Sequence, residues 1–584
     1  MKQKADPITL EVMRNAFQSV AEEMGAALIR AALSTNIKDR RDCSTAIYTA
    51  RGDLVAQAEH IPLHLGLMVS VVKKTLERFP VERLEPGDAV ITNDPYISGS
   101  HLPDICMITP LFAGDRCLAL LANLAHHVDV GGMTPGSMPT ISTEIFQEGL
   151  RIPPIKLRKR GRVDDQIMAL IAENVRTRVE TYGDFQAQMA ANNVGERRLG
   201  EIITKYGPEM TRFYMEEIIN YAERRMRTRI GELPRGVFSF EDFLEGDGLS
   251  EDLKRIAVTL TIGEDRVRVD FTGTDEQAKG SVNSTRAVTL ACVFFALKSV
   301  VDPELPSSEG ACRPVEVITP PGTLVNPNFP APVSNANINT SQRIADVVLG
   351  ALAKAVPERV PAASTGSMSN FTIGGVDPRT GEYYSYVETY GGGQGAMEDR
   401  DGMDGVHTNM TNTRNAPAEV IEIAYPLRVE RYGLVADSEG PGRARGGTGM
   451  TREITILDHE ATITLGTERR ALRPWGLSGG GPGGGSDCRL VTPTGQEEPL
   501  PTKATLRVRP GTRVVLRTAG GGGFGPPMTR DPEKVLRDVE QGLISVLRAE
   551  KEYGVAIRGT PPQIDQKETA RLREEGAGPE QGGR

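Results

Sequence analysis

The sequence predicts an α+β protein. Its architecture is a multi-layer mixed fold: an N-terminal helix plus antiparallel strands, a central helical insert, and a β- and glycine-rich C-terminal half. Three observations carry this reading. Apolar residues at Ile8, Val12, Ala16, Val20, Met24, Ala27 and Ala31 recur at spacings of three and four, the period of an amphipathic helix. Residues 256–262 and 266–271 alternate apolar and polar side chains, as half-buried strands do. Glycine, at 63 of 584 residues, is concentrated in the last third, where it punctuates short alternating runs.

Asp6-Pro7 opens the first helix, with Asp as cap and Pro at the first helical position. It runs to about Leu33. Residues 45–49 and 53–56 form a hairpin around the turn 50–53. Residues 60–66, HIPLHLG, read as a loop into a second helix over 67–78. A strand at 89–92 leads into a loop over 93–104, broken by Pro95, Gly99 and Pro103. Strands over about 105–112 and 117–125 follow, joined by a turn at 113–115. These elements make an N-terminal α+β region, 1–160.

Residues 161–232 read as a helical insert, with helices from Asp164 to about Gly183, from Phe185 to about Tyr206 and from Pro208 to about Ile230. An α+β middle region, 233–367, holds a buried helix at about 284–300 and a capped amphipathic helix after 337. Region 368–528 is β-rich and glycine-rich, and its strands at short intervals predict a sandwich or barrel. A C-terminal helix over 529–560 and a disordered tail over 561–584 complete the chain.

Composition narrows the function classes. The net charge of −9 leaves no basic footprint for nucleic acid. No run of about 18 apolar residues spans a membrane, and no apolar core marks the N-terminus for export; a cytoplasmic protein is expected. Six scattered cysteines form no Cys-x-x-Cys pair and read as reduced thiols. None of the glycine clusters ends in Gly-Lys-Ser/Thr or opens a strand–GxGxxG–helix unit, so no nucleotide site is expected here.

Five of the seven histidines, His60, His64, His101, His126 and His127, lie between residues 60 and 127. Imidazole and carboxylate are the common ligands of zinc, manganese and iron, and His101-Leu-Pro-Asp104 sets one of each three residues apart. A mononuclear metal site is the sharper reading. Ordinary loop and core histidines would give the same spacing. If the strand continues through His126 and His127 the two rings face opposite ways, so only one ligates easily, and the strand phase does not decide between them.

The series IKDRRDCSTAI, HIPLHLG, PGDAVITNDPYISGSHLPDI, AHHVDVGGMTPGSM and EGLRIPP resembles the hydantoinase B/oxoprolinase family. So do NTRNAPAEVIE, DSEGPGRARGGTGM, RPWGLSGGGPG and TAGGGGFGPP. The likeness runs in order from about residue 6 to about 555. It implies a subunit that works with an A-type, ATP-binding hydantoinase subunit, which phosphorylates a small cyclic amide using ATP that is not bound here. It also implies one divalent metal ion held by Asp42, His101, Asp104 and His126. Asp94, His64, His127 and Asp129 are then candidates to support those ligands. Asp129 and His127 are the candidate catalytic groups for managing a proton. Cys43 stands where the family carries an aromatic residue, and Ser98-Gly-Ser100 replaces a double glycine; neither change removes a ligand.

The function expected from this likeness is ATP-dependent hydrolysis of a hydantoin, 5-oxoproline or other lactam. Two alternatives remain: a metal-containing subunit of an ATP-dependent ketone carboxylase, and a non-catalytic scaffold for an ATPase partner.

Overall fold

The computed structural model describes residues 5–58, 60–97 and 99–576; Ser98 and the last eight residues lie outside them. Helix α1 (Pro7–Ala31) begins where the Asp6 carboxylate accepts the Thr9 N–H, and it buries Met13, Phe17, Val20, Met24 and Leu28 on one stripe. After the single turn α2 (Thr35–Lys38) come β1 (Cys43–Thr49), β2 (Leu54–Gln57), α3 (Pro62–Arg78), β3 (Ala89–Thr92), β4 (Asp104–Ala113), β5 (Arg116–His126), β6 (Ile155–Lys159) and β7 (Arg162–Val163). The strands form one antiparallel sheet ordered β2-β1-β5-β4-β3-β6-β7. Helix α3 starts five residues earlier than the sequence predicts, because Pro62 occupies the first helical position, which needs no N–H. That puts His64 in the first turn of a helix and not in a loop.

Both faces of this sheet are covered. Leu120, Ala122 and Leu124 of β5 pack with Met68, Val71 and Val72 of α3. Their neighbours Ala119 and Leu121 pack on α1 with Leu199, Tyr214 and Met215, which come from the helical segment α4 (Asp165–Glu173), α5 (Arg178–Tyr206) and α6 (Pro208–Ile230). Helix α5 runs unbroken through Gly183, where the sequence predicts an end. Asn123 donates to the Gln188 carbonyl at 2.9 Å and to Asn192 Oδ1 at 2.8 Å, so polar as well as apolar contacts fasten α5 to the sheet.

The middle of the chain adds β8 (Gly236–Glu245), β9 (Leu253–Ile262), β10 (Val267–Asp270), α7 (Arg286–Val301), β11 (Val315–Ile318) and α8 (Ser341–Ala353). The sheet order is β11-β10-β9-β8, with β10 and β11 parallel. Helices α7 and α8 share one apolar core with it. Gly66 of α3 lets α7 approach: a Cβ there would sit 2.2 Å from Ala291 Cα. Helix α8 is preceded by one π-helical turn, Ala336–Thr340, a form found often at functional sites.

The last third runs β12 (Asn370–Val376), β13 (Tyr383–Thr389), α9 (Ala418–Ala424), β14 (Leu427–Leu434), β15 (Met450–Ile456), β16 (Ala461–Gly466), β17 (Asp487–Val491), β18 (Glu497–Pro499), β19 (Lys503–Val508) and β20 (Arg513–Arg517). Two antiparallel sheets, β13-β12-β16-β19 and β14-β15-β20-β17-β18, close on a shared core.

The glycine clusters are not only turns between these strands. At Gly521–Gly523, three successive residues bond to three different neighbours. Gly521 N donates to Gly447 O, Gly522 N to Ala363 O and Gly523 N to Gly481 O. A pleated strand, with its period of two, bonds only to its two sides; this segment bonds to three separate stretches of chain. Side chains are excluded there: a Cβ on Gly521, Gly522 or Gly523 would meet a backbone oxygen at 2.0, 2.1 or 2.2 Å.

Beyond this lie α10 (Pro532–Glu540), α11 (Val546–Tyr553), β21 (Ile557–Arg558), β22 (Gln563–Ile564) and α12 (Gln566–Gly576). The single C-terminal helix expected is thus two, and the expected disordered tail carries a helix whose Arg573 donates to the Tyr553 carbonyl. Among the described residues no helix is long and apolar enough to cross a membrane.

Candidate metal centre

The β4–β5 register sets Asp104 directly opposite His126. His126 follows Leu120 and Leu124 onto the face covered by α3, which presents His64. His127 points the other way, toward α5: its Nε2 lies 3.1 Å from Gln188 Oε1 and its ring centre lies 4.8 Å from that of Phe185, tilted by 45°. His101 sits on the turn before β4. Asp42 precedes β1, held in place by the His126 N–H, which donates to its carbonyl at 3.0 Å.

His101, Asp104 and His126 each offer a ligand atom within 4.8 Å of the others, and all three are buried. Asp42, the fourth expected ligand, lies outside that trio and lines a small cavity with His101, His126 and His64. His64 joins it to the trio, with Nε2 at 3.9 Å from Asp42 Oδ1 and 3.8 Å from Asp104 Oδ2. The cavity holds about 20 Å³, room for about one water-sized group.

The protonation pattern fits a cation. His101 Nδ1 lies 3.3 Å from the Ser334 carbonyl, which can only accept, so Nδ1 carries the proton. Its Nε2 then turns a lone pair toward Asp104 Oδ2 at 3.3 Å. A lone pair and a carboxylate at that distance repel unless a proton or a metal ion lies between them. Asn337 Nδ2 stands 3.3 Å from the same Nε2, and Asn36 Nδ2 stands 3.2 Å from His126 Nδ1. Asp104 Oδ1 is buried with no hydrogen-bond partner, while Oδ2 accepts from Ser100 Oγ. Burial holds the His126 imidazole down at about 4, so it is neutral at physiological pH, as a ligand must be. For His101 burial pulls the same way, but the Asp104 carboxylate outweighs it and raises the ring. Two imidazoles and a carboxylate suit zinc, manganese or iron.

The two groups expected to manage a proton do not line this cavity. Both Asp129 carboxylate oxygens are occupied: Gly131 N and Gly136 N donate to them, and Arg176 pairs at 3.0 Å. Burial lowers His127 and Gln188 holds it on the far face. Asp94 caps its own turn, accepting from Tyr96 N at 3.0 Å. Cys43 is buried, and burial pushes its thiol up, the opposite of an activated nucleophile.

Several residues of the site carried no sequence signal. Asn36, Ser334 and Asn337 act through hydrogen bonds. Arg40 bridges the Asn36 side chain and the Val387 carbonyl, 3.0 and 2.8 Å away. Glu148 accepts from Val333 N and Ser334 N and so sets the carbonyl that holds His101. The run Asn335-Ala-Asn337-Ile-Asn339 in an apolar helical pattern was the one available hint.

A family model described as hydantoinase B/oxoprolinase matches residues 6–527. An uncharacterised protein of Methanocaldococcus jannaschii is 41% identical over 97% of this chain and all of its own length. A putative D-/L-hydantoinase subunit of a Pseudomonas species is 35% identical over 98% of both chains. The crystal structure of an ATP-dependent caprolactamase from Pseudomonas jessenii superposes with a TM-score of 0.90 at 32% identity, covering 98% of this chain and 100% of that one. The chain spans 42% of the length of 5-oxoprolinase 1 of Arabidopsis thaliana.

Proposed function

This chain belongs to the hydantoinase B/oxoprolinase family, and from that premise we propose that it is the metal-holding subunit of an ATP-dependent hydrolase of cyclic amides. The observation that carries the reading is His101 Nε2 set 3.3 Å from Asp104 Oδ2, with His126 completing a buried trio beside a cavity that His101, His126, His64 and Asp42 line. Three or four protein ligands leave an open position for a reacting group. The bound ion supplies Lewis acidity, which polarises a carbonyl or acidifies a water.

The chain's own residues do the rest. Ser334 and Asn337 orient His101, and Asn36 orients His126. His64 Nε2 lies 3.9 Å from Asp42 Oδ1 and 3.8 Å from Asp104 Oδ2, with Nδ1 3.2 Å from Ser44 Oγ; that position suits a proton shuttle better than the sites of His127 and Asp129. An amide carbonyl is a poor electrophile, so ATP-dependent activation falls to an A-type partner. Two supports point to such a partner: the hydantoinase relative is named as a subunit, and the chain matches under half of a 5-oxoprolinase.

The test is reconstitution with the A-type subunit, ATP and a panel of lactams, with metal measured by plasma mass spectrometry. Asp104→Asn should lose both metal and turnover while circular dichroism stays native. A variant that keeps full metal and full rate overturns the reading. A bicarbonate requirement would point instead to a carboxylase.

A further inference from the structure

Two exposed phenylalanines and an arginine form a compact cluster on the surface. Phe146 is 57% exposed and Phe329 47%, and their rings meet edge to face with centres 5.7 Å apart. The Arg151 guanidinium lies over both, 4.6 Å from the Phe329 ring centre and 5.6 Å from that of Phe146. Its Nε stands 3.7 Å from Asp94 Oδ2, beyond hydrogen-bond reach. Among the described residues the guanidinium has no hydrogen-bond partner. Single exposed apolar side chains are ordinary. Two aromatic rings beneath one arginine are the composition of an interface hot spot.

The cluster is held in place. Tyr96 packs edge-on against Phe329 with ring centres 5.4 Å apart, and its hydroxyl donates to Ala331 O at 2.6 Å. Ile145 N donates to Pro330 O at 2.9 Å. A partner therefore meets side chains that lose little freedom on contact. The same segments run inward to the metal centre. Two residues beyond Phe146, Glu148 accepts the N–H groups of Val333 and Ser334, and the Ser334 carbonyl faces His101 Nδ1. One residue beyond Arg151, Ile152 N donates to Asn93 Oδ1 at 2.6 Å. Asn93 Nδ2 in turn donates at 2.7 Å to the carbonyl of Leu102, the chain neighbour of His101. Two short hydrogen-bonded paths thus join the cluster to a proposed ligand.

We propose that Phe146, Arg151 and Phe329 are the docking point for the A-type, ATP-binding subunit, which lays an apolar side chain against the two rings and pairs a carboxylate with Arg151. The proposal rests on the reading of this chain as one subunit of a two-subunit hydrolase. Charge selects the occupant. A second copy of this chain, meeting through so small a face, would set Arg151 against Arg151 across the two-fold axis, and like charges at the centre of a contact oppose it. A different protein is free to bring the opposite charge. Position selects it as well: an amide activated on the partner has to reach this metal centre, and docking here seats the partner on the residues that orient His101.

Binding is read by biolayer interferometry on the intact chain, with the purified A-type subunit as the probe. Phe329→Ser and Arg151→Glu should each weaken it at least tenfold. Arg151→Met keeps the apolar stem and loses the charge, so its affinity should fall less with added salt than that of wild type. Arg212→Glu, on an exposed stretch of α6, should bind normally. Near-ultraviolet circular dichroism checks each fold. Amide hydrogen exchange at residues 145–152 and 328–334 should slow when the complex forms. The docking point is overturned if folded Phe329→Ser and Arg151→Glu bind like wild type, if those two segments gain no protection, or if sedimentation shows that Phe329→Ser instead breaks a dimer of this chain alone. The two readings fail separately. A wild-type chain that binds no A-type subunit removes the two-subunit reading and the docking point with it. Normal binding by both wild type and the cluster variants removes the docking point and leaves the hydrolase standing.

Discussion

His101 Nδ1 lies 3.3 Å from the carbonyl oxygen of Ser334, a contact that spans 233 residues of chain. It fixes which ring nitrogen carries the proton and which faces the cavity. Ser334 is placed in turn by Glu148, whose Oε1 accepts the Ser334 N–H at 3.0 Å. Supports of this kind are worth roughly 10- to 100-fold in metal affinity. Glu148→Ala should weaken metal binding by that order while every proposed ligand remains. Competitive titration against a chromophoric chelator measures it, and wild-type affinity would remove Glu148 from the account.

Glu148 also makes stability depend on pH. Burial pushes its carboxyl up to about 7, against hydrogen bonds from Ser334 N, Val333 N and Ser142 that pull it down. The unfolded carboxyl titrates near 4.5. Between those values the folded chain holds a proton that the unfolded chain has released. This contribution is therefore fully present below pH 4.5 and is lost as pH rises through 7. Its size is on the order of 3 kcal/mol. In thermal unfolding, the gap in Tm between Glu148→Gln and wild type should widen in favour of Gln from pH 5 to 7. A constant gap would contradict the assignment.

Arg343 is wholly buried between Asp242 at 3.0 Å and Glu468 at 3.1 Å. Arg469 and Lys503 complete the network on Asp346 and Glu468. Removing one cation leaves buried carboxylates short of a partner, which costs about 3–5 kcal/mol. Arg343→Met should lower the urea midpoint accordingly, whereas an exposed pair such as Arg212–Glu209 should respond by less than about 1 kcal/mol when broken.

Gly521 and Gly433 separate packing from glycine content. A Cβ on Gly521 meets Gln394 O at 2.0 Å, and one on Gly433 meets nothing within 4 Å. Gly521→Ala forces backbone from backbone and should cost more than about 3 kcal/mol, read as loss of soluble protein or a large drop in Tm. Gly433→Ala should stay within about 1 kcal/mol of wild type. Equal effects would mean that close packing is not what keeps Gly521.

The sequence made the centre legible because its parts are chemically rare and close in the chain. His101, Asp104 and His126 cluster in the segment that also carries His60 and His64, and few physical roles gather imidazoles so tightly. The facing of His126 was not legible, because His126 shares its strand phase with Leu120 and Leu124, and an apolar phase reads as core. Here that core face is the one α3 covers, and α3 brings His64. The first turn of α3 was masked by Pro62, which reads as a break and serves as a start. Asn36, Glu148, Ser334 and Asn337 were out of reach: their residue types are common, and their partners lie between 90 and 236 residues away. The glycine clusters misled because a tight turn and a side-chain-free core ask for the same residue.

The segment through Gly521–Gly523 donates its hydrogen bonds to carbonyls at residues 363, 447 and 481. None of those neighbours can close on it until it has left the ribosome. Most of the chain, the metal-bearing sheet included, is therefore synthesised before this half of the molecule locks. A nascent chain stalled at residue 500 would carry every proposed ligand and still lack the strut that the glycine-rich half is built around.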